Sequence, residues 1–289
     1  MLIIRLTYYP DITQKQSDND VRNAVVVFAN ALAADLSTSL GKQIVIEVPP
    51  VMQVPAQYND IVAGNSAIAL MKPVAYVLAH KENQAIVPAC VAHRPIRGQV
   101  GTYYYAQIYA RKDTGLKSIG DLVNAPAGLL RMAYGDRFST SNFLIPASVL
   151  QTNGIHPFLF FRQVTFAGGH DAAAEAVYGG EADIGAGHDG AIKILAQTNP
   201  DAEDRLVPLV TENIHSDPVV VNTSVLPEGV TLEHIQESCE RVAKTEPVLN
   251  ALDLFWGWVK DLSKTEHTNY ASIERALAGL HLSKEDMLS

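Results

Sequence analysis

Three consecutive hydroxyl residues, Ser139-Thr140-Ser141, follow the turn Tyr134-Gly135-Asp136-Arg137-Phe138 and run into the apolar residues Phe143-Leu144-Ile145-Pro146. The chemistry open to such a stretch is anion binding. The first N–H groups of a helix have no partner within it, and the macrodipole leaves partial positive charge at that end, so backbone amides and Ser/Thr hydroxyls can converge on one tetrahedral oxyanion. Phosphate, phosphonate and sulfate all have that shape. The competing reading is an ordinary N-cap, in which a single hydroxyl satisfies its own helix and binds nothing else; Ser141 is the expected cap. A second candidate is His170. It follows Gly168-Gly169, which let backbone approach a ligand closely, and its ring can donate to an oxyanion oxygen, with a neighbouring dianion favouring the imidazolium.

The elements that must position these residues alternate along the chain. Strand patterns at residues 2–8, 43–48, 67–71 and 85–91 alternate with helical patterns at 19–39 and 57–63, the first of these capped by Asn19 or Asp20. A second alternating series follows. Strand 128–133 feeds the hydroxyl turn, strand 164–167 feeds the Gly168-Gly169-His170 turn, and a helix at 171–178 leads to a strand at 182–187. Strands at 206–210 and 219–222 come next, then helices near 231–244, 247–260 and 270–280. Alternation of this kind predicts an α/β protein with mostly parallel sheets covered by helices, whose ligand sites lie beyond the carboxyl ends of strands. The late helices have no strands of their own to cover, so the chain is expected to return to its first lobe near Ser216. No internal repeat or long Pro/Gly linker is evident in the sequence.

The hydroxyl turn resembles, as GDxxSTSxFLxP, the ligand-binding signature of the periplasmic phosphonate-binding proteins of ABC importers. Four further stretches are similar to that family in the same order. They are the aromatic strand from Tyr104 to Ala110-Arg111-Lys112-Asp113-Thr114-Gly115 with Ser118-Ile119-Gly120-Asp121-Leu122; Gly168-Gly169-His170-Asp171 with Ala176 and Ala182-Asp183; Asp217-Pro218-Val219-Val220-Val221; and Asn269-Tyr270-Ala271-Ser272-Ile273. The resemblance implies a type II periplasmic-binding-protein fold: two α/β lobes joined by a two-segment hinge, with the ligand cleft between them. Lobe 1 would comprise 1–107 and 217–289, and lobe 2, carrying the anion-binding helix N-terminus, would comprise 108–216. It further implies a solute-binding component that captures a phosphonate or related phosphorus oxyanion by lobe closure and presents it to an ABC transporter permease, as a monomer, without cofactor, metal or reaction.

On the same resemblance, Ser139, Thr140, Ser141 and His170 would hold the oxyanion, and Tyr104 and Tyr58 would be cleft aromatics. Tyr103 and Tyr105 leave the register of Tyr104 open, and a core or cross-strand role is its alternative. Asp217 would pair with a ligand ammonium, or else serve as a turn residue before Pro218. Asp189 and His188 would border the ligand side group, Asp189 alternatively capping a helix at 190–197. The sequence departs from the pattern at Gly169, where the family often has Ser, and at Lys72, where a neutral residue is usual. Lys72 is either a second cleft cation, suited to a carboxylated phosphonate, or a solvated residue starting a helix.

Length and charge agree with this. A chain of 289 residues suits two lobes, and a formal charge of −9 argues against nucleic acid or an anionic membrane as the main partner. Cys90 and Cys239 have no metal-like spacing. They read as two small buried hydrophobes, or as one disulfide or a reactive thiol. Met1 runs straight into an expected strand without a leader pattern, so the resemblance implies a periplasmic or cell-surface protein whose leader is absent from this sequence, with a cytoplasmic location as the second choice. Two other functions share the observations: a stand-alone sensory oxyanion-binding protein of the same fold, and an enzyme built on His170, Asp171, His188 and Asp189. Against the enzyme, the chain has no HExxH, GxSxG or Walker pattern.

Overall fold

The structure, a computed structural model, describes residues 1–10, 16–96, 98–284 and 286. It contains two compact units, one of residues 1–103 and 215–271 and the other of 104–214 and 272–289. These groupings differ from the lobe boundaries expected from sequence by a few residues at each crossing, and they place 272–289 with the second unit. The first crossing falls where it does because ladder pairing with the second sheet begins at Ala106, opposite His188.

The first unit is built on strands β1 (Leu2–Thr7), β2 (Ile44–Glu47), β3 (Ile68–Leu70), β4 (Ile86–Ile96) and β5 (Gln99–Gly101), completed later by β11 (Pro218–Asn222) and β12 (Asp261–Lys264). Their order is β12-β4-β11-β3-β1-β2, with β5 paired to β4. β1 is parallel to β2 and β3, whereas β11 is antiparallel to both β3 and β4. Helix Asp18–Leu40 links β1 to β2 and packs on helices Leu232–Val242 and Glu246–Trp256. Its length and apolarity would suffice to cross a bilayer, yet its apolar residues Val21, Val25, Phe28, Leu32 and Leu36 recur at helical spacing and are buried in the unit's own core. Ser17, not Asn19 or Asp20, caps it, accepting from the Asp20 amide at 3.2 Å. Asp20 instead supplies first-turn negative charge, which favours the same end of the dipole.

The second unit carries β6 (Tyr103–Arg111), β7 (Arg131–Tyr134), β8 (Gln163–Phe166), β9 (Ile184–His188) and β10 (Leu206–His215), in the order β10-β6-β9-β7-β8. β7 is parallel to β8 and β9, and β6 is antiparallel to β9. Helix His170–Tyr178 returns over the sheet and buries Ala173, Ala174 and Val177 against Tyr109 and Ala133. Gly185 permits that approach, since a Cβ there would stand 2.6 Å from Tyr109 Cε2 and 2.8 Å from Val177 Cγ2. At the amino edge of this sheet, Asp183 accepts from the Arg131 amide at 2.9 Å and its Nη2 at 2.8 Å, and from Arg111 Nη2 at 3.2 Å. The Arg131 hydrogen bond holds the Asp183 carboxyl below the usual carboxylate range.

The two sheets repeat one topology that has no counterpart in the sequence. In each, the parallel trio has the order second-first-third (β2-β1-β3 and β8-β7-β9), and the strand next to the third is antiparallel and arrives straight from a crossing, β11 in one and β6 in the other.

His215, where the chain re-enters the first unit, has Nε2 2.8 Å from Thr265 Oγ1 and packs edge-on against Tyr270. Burial, with the His93 charge as a lesser cause, pushes its pKa down to about 4. The unfolded chain therefore binds a proton that the folded chain refuses, and the stability that depends on neutral His215 is full at neutral pH and is lost as pH falls from about 6.5 towards 4. Allowing for the partial exposure of the ring, this slope is worth about 2 kcal/mol. Urea midpoints of wild type and His215→Gln measured across that range should converge as pH falls; parallel curves would show that His215 does not titrate with unfolding.

Candidate functional site

Because β8, β7 and β9 run parallel as neighbours, the loops that follow them leave the same edge of the second sheet. The loop after β7 carries Ser139, Thr140 and Ser141, that after β8 carries His170, and β9 ends on His188 with Asp189 following. β6 runs the other way and starts at this edge, which brings Tyr104 there, two residues before the Ala106–His188 pair. Seven of the ten residues singled out from sequence thus share one edge.

The hydroxyl turn is held from both sides. Asp136 Oδ1 accepts from the Phe138 amide at 2.7 Å, Gly135 N–H donates to Asn142 Oδ1, and Gly168 N–H donates to Gly135 O at 2.7 Å, joining this loop to the one after β8. A Cβ on Gly135 would overlap the Asn142 amide, so the turn requires glycine for close approach rather than for an unusual φ. Ser139, not Ser141, is the N-cap, its Oγ accepting from the Asn142 amide at 3.0 Å. The chain then makes a π-helical turn over Thr140–Leu144 before the α-helix Ile145–Thr152, with Pro146 in its first turn. The wider turn shifts the cap back by two positions. Ser139, Thr140 and Ser141 are only 7%, 3% and 2% exposed, so hydrogen bonds made there act in a low-dielectric setting.

The two histidines are fixed relative to each other. The His188 amide donates to His170 Nδ1 at 3.2 Å, the Gly190 amide donates to His188 Nδ1 at 3.0 Å, and the rings lie 4.8 Å apart. A ring nitrogen that accepts carries no proton, so each imidazole is the Nε2–H tautomer. The backbone contact of His170 thus uses Nδ1 as an acceptor and leaves Nε2 as the donor. Asp189 does not cap the next helix. Gly190 occupies that position in front of Ala191–Ala196, while the Asp189 amide donates to Tyr105 O at 3.1 Å and ties β9 to β6.

The other three residues lie in the first unit. Lys72 ends the run after β3, starts helix Pro73–Glu82, and has Nζ 5.7 Å from the centroid of Tyr9. Asp217 immediately precedes β11 at the same edge as Lys72, where Met71 N–H donates to Pro218 O at 3.3 Å. Asp217 is buried, and its carboxylate accepts from Arg94 Nη2 at 2.6 Å. Arg94 also donates to Ser216 Oγ at 2.9 Å and to the carbonyls of Trp256 and Gly257, so the ion pair sits in a well-bonded frame. Tyr58 is not with them. It is 1% exposed, and its hydroxyl donates to Glu82 at the far end of helix Pro73–Glu82, roughly 15 Å along the axis from Lys72.

Sequence reasoning missed Arg94, Asn142, Tyr9 and Arg137. Arg137 lies inside the hydroxyl turn, its guanidinium 4.5 Å from the Phe166 ring centroid, and its position within that motif was the available signal. Arg94 had none, because its partner is 123 positions away.

Two α/β units of this topology, one presenting covered hydroxyls and paired imidazoles at the carboxyl edge of its sheet, define a binding protein of the type II periplasmic class. Comparison with known proteins narrows the class. The family model for the periplasmic substrate-binding protein of phosphonate ABC transporters matches residues 20–256. Among solved structures the fold is similar to PhnD1 of Prochlorococcus marinus in complex with methylphosphonate, at TM-score 0.72 and 19% identity over 96% of this chain and 98% of that one. It is similar to a binding-protein component of an ABC phosphonate transporter from Pseudomonas aeruginosa, at TM-score 0.65 and 17% identity over 99% and 92%. A Xanthomonas citri protein bound to ATP matches at TM-score 0.73 and 14% identity over 97% and 98%. The chain belongs to the phosphonate ABC transporter periplasmic substrate-binding protein family. Its members bind substrate for transport and are not enzymes.

Removing the Asp217 carboxylate leaves the Arg94 guanidinium buried without its counter-ion. Asp217→Ala should therefore cost about 3 to 5 kcal/mol in denaturant unfolding; an unchanged midpoint would show that the pair does not contribute.

Proposed function

We propose that the chain captures a small phosphonate, or a related phosphorus oxyanion, in the periplasm or at the cell surface and delivers it to an ABC permease. The observation that carries this reading is the hydroxyl triplet at the helix start, covered from solvent, beside two imidazoles whose Nδ1 atoms are engaged by backbone amides. Thr140 and Ser141 hydroxyls, amides of the 140–144 turn and the Nε2–H groups of His170 and His188 would converge on the phosphonyl oxygens. Such hydrogen bonds to a charged acceptor are the strong kind, and no net positive charge is needed for them.

We further propose that the ligand carries no ammonium group. In amine-binding relatives a carboxylate at the position of Asp217 is expected to pair with the ligand. Here that carboxylate already accepts from Arg94. Methylphosphonate and phosphite fit this description.

Calorimetry on the purified protein tests both statements. Thr140→Ala should weaken binding of the best oxyanion by about 1 to 3 kcal/mol, with Thr140→Ser restoring most of it. Ser139→Ala should lower stability as well, by about 1 kcal/mol, because Ser139 is the cap. An unchanged Kd for Thr140→Ala would remove the triplet from the site. In the ligand series, methylphosphonate should bind at least about tenfold tighter than 2-aminoethylphosphonate, a difference of roughly 1.4 kcal/mol. The reverse order would return Asp217 to the role of ammonium partner.

A further inference from the structure

Cys90 lies on β4, one strand in from the sheet edge, opposite Val219 of β11 on one side and Lys264 of β12 on the other. Cys239 lies on helix Leu232–Val242, in the buried stripe Ile235, Cys239 and Val242 that faces the sheet. Both are wholly buried and are free thiols in the structure. Helix and strand are tied at this spot. Cys90 Sγ donates to the Gln236 carbonyl at 3.6 Å, and Gln236 Nε2 donates to Ala89 O at 3.2 Å. Gln236 is one helical turn before Cys239, so the Cys90 thiol lies against the same stretch of helix that carries Cys239.

We propose that Cys90 and Cys239 are a disulfide site, closed by a dithiol–disulfide donor when the chain folds in an oxidising compartment. A thiolate of one cysteine attacks the donor's disulfide and forms a mixed disulfide, releasing one donor sulfur as a thiol. The thiolate of the other cysteine then displaces the second donor sulfur. The protein pair loses two electrons and two protons, and the donor leaves as a dithiol. Exchange proceeds through thiolate, and the Cys90 neighbour together with burial pushes the Cys239 thiol up. Once the helix has docked, the pair is therefore slow to react, which places closure before docking. The segment between the two cysteines contains all of residues 104–214 of the second unit. The bond would link β4 to the helix without passing through that unit, and it would shrink the unfolded ensemble by closing a long loop.

The test needs no phosphonate, so its outcome is separate from that of the binding reading. The full chain is unfolded, reduced, and refolded with a glutathione redox couple or a dithiol oxidoreductase, and its thiols are then counted with a maleimide under denaturing conditions. The expected result is no reactive thiol, a monomer mass lower by two hydrogens, and a melting temperature several degrees above that of the reduced protein. Cys90→Ser and Cys239→Ser should each keep one reactive thiol and show no redox-dependent melting. Should either variant fail to fold, the thiol count and mass of the wild-type chain decide alone. Two reactive thiols after oxidative refolding, or disulfide-linked dimers in place of the monomeric product, overturn the proposal.

Discussion

The parallel pairing of β8, β7 and β9 is the constraint on which the grouping of the candidate site residues depends. Parallel neighbours must be joined by crossovers, so every loop that follows a strand emerges at one edge and every helix starts there. Three loops separated in sequence are thereby superimposed in space, and the positive ends of their helices point the same way. The opposite edge is closed by the Asp183, Arg131 and Arg111 pairs, which fix β7, β9 and β6 where no ligand is needed.

The hydrogen-bonding groups at that edge are held in place by the protein's own contacts. Asn142 and Gly135 hold the hydroxyl turn, the Gly135 to Gly168 hydrogen bond fixes its distance from the His170 loop, and the His188 amide fixes the tautomer of His170. A net charge of −9 does not oppose the proposed anion site, because local dipoles outweigh carboxylates beyond the screening length. In the first unit the same economy of charge applies in reverse. Arg94 and Asp217 neutralise one another in a buried frame that also fastens the strand starting at Pro218 to the turn after Trp256.

The repeated topology of the two sheets shows what sequence comparison within a chain overlooks. No stretch of the first unit resembles the second residue by residue, yet each places an arriving antiparallel strand beside the third strand of a parallel trio. Hydrophobic alternation is satisfied by many sequences, so a shared topology leaves little trace in residue identities.

The sequence by itself determined the alternation of strands and helices, the hydroxyl turn at the start of a helix, and, through five ordered motifs, the family. These are local properties: a turn, a cap and an apolar period are written in neighbouring residues. Only the tertiary structure decided that Ser139 rather than Ser141 caps the turn, that Tyr58 is in the core, that His170 presents an Nε2–H tautomer, and that Asp217 is bound to Arg94. Only it set the Cys90 thiol against the helix that carries Cys239. Each of these depends on a π turn set by packing, or on partners 18 to more than 100 positions apart. Such partners meet only when the strand order is known, and no residue type states in advance which strand will lie beside its own.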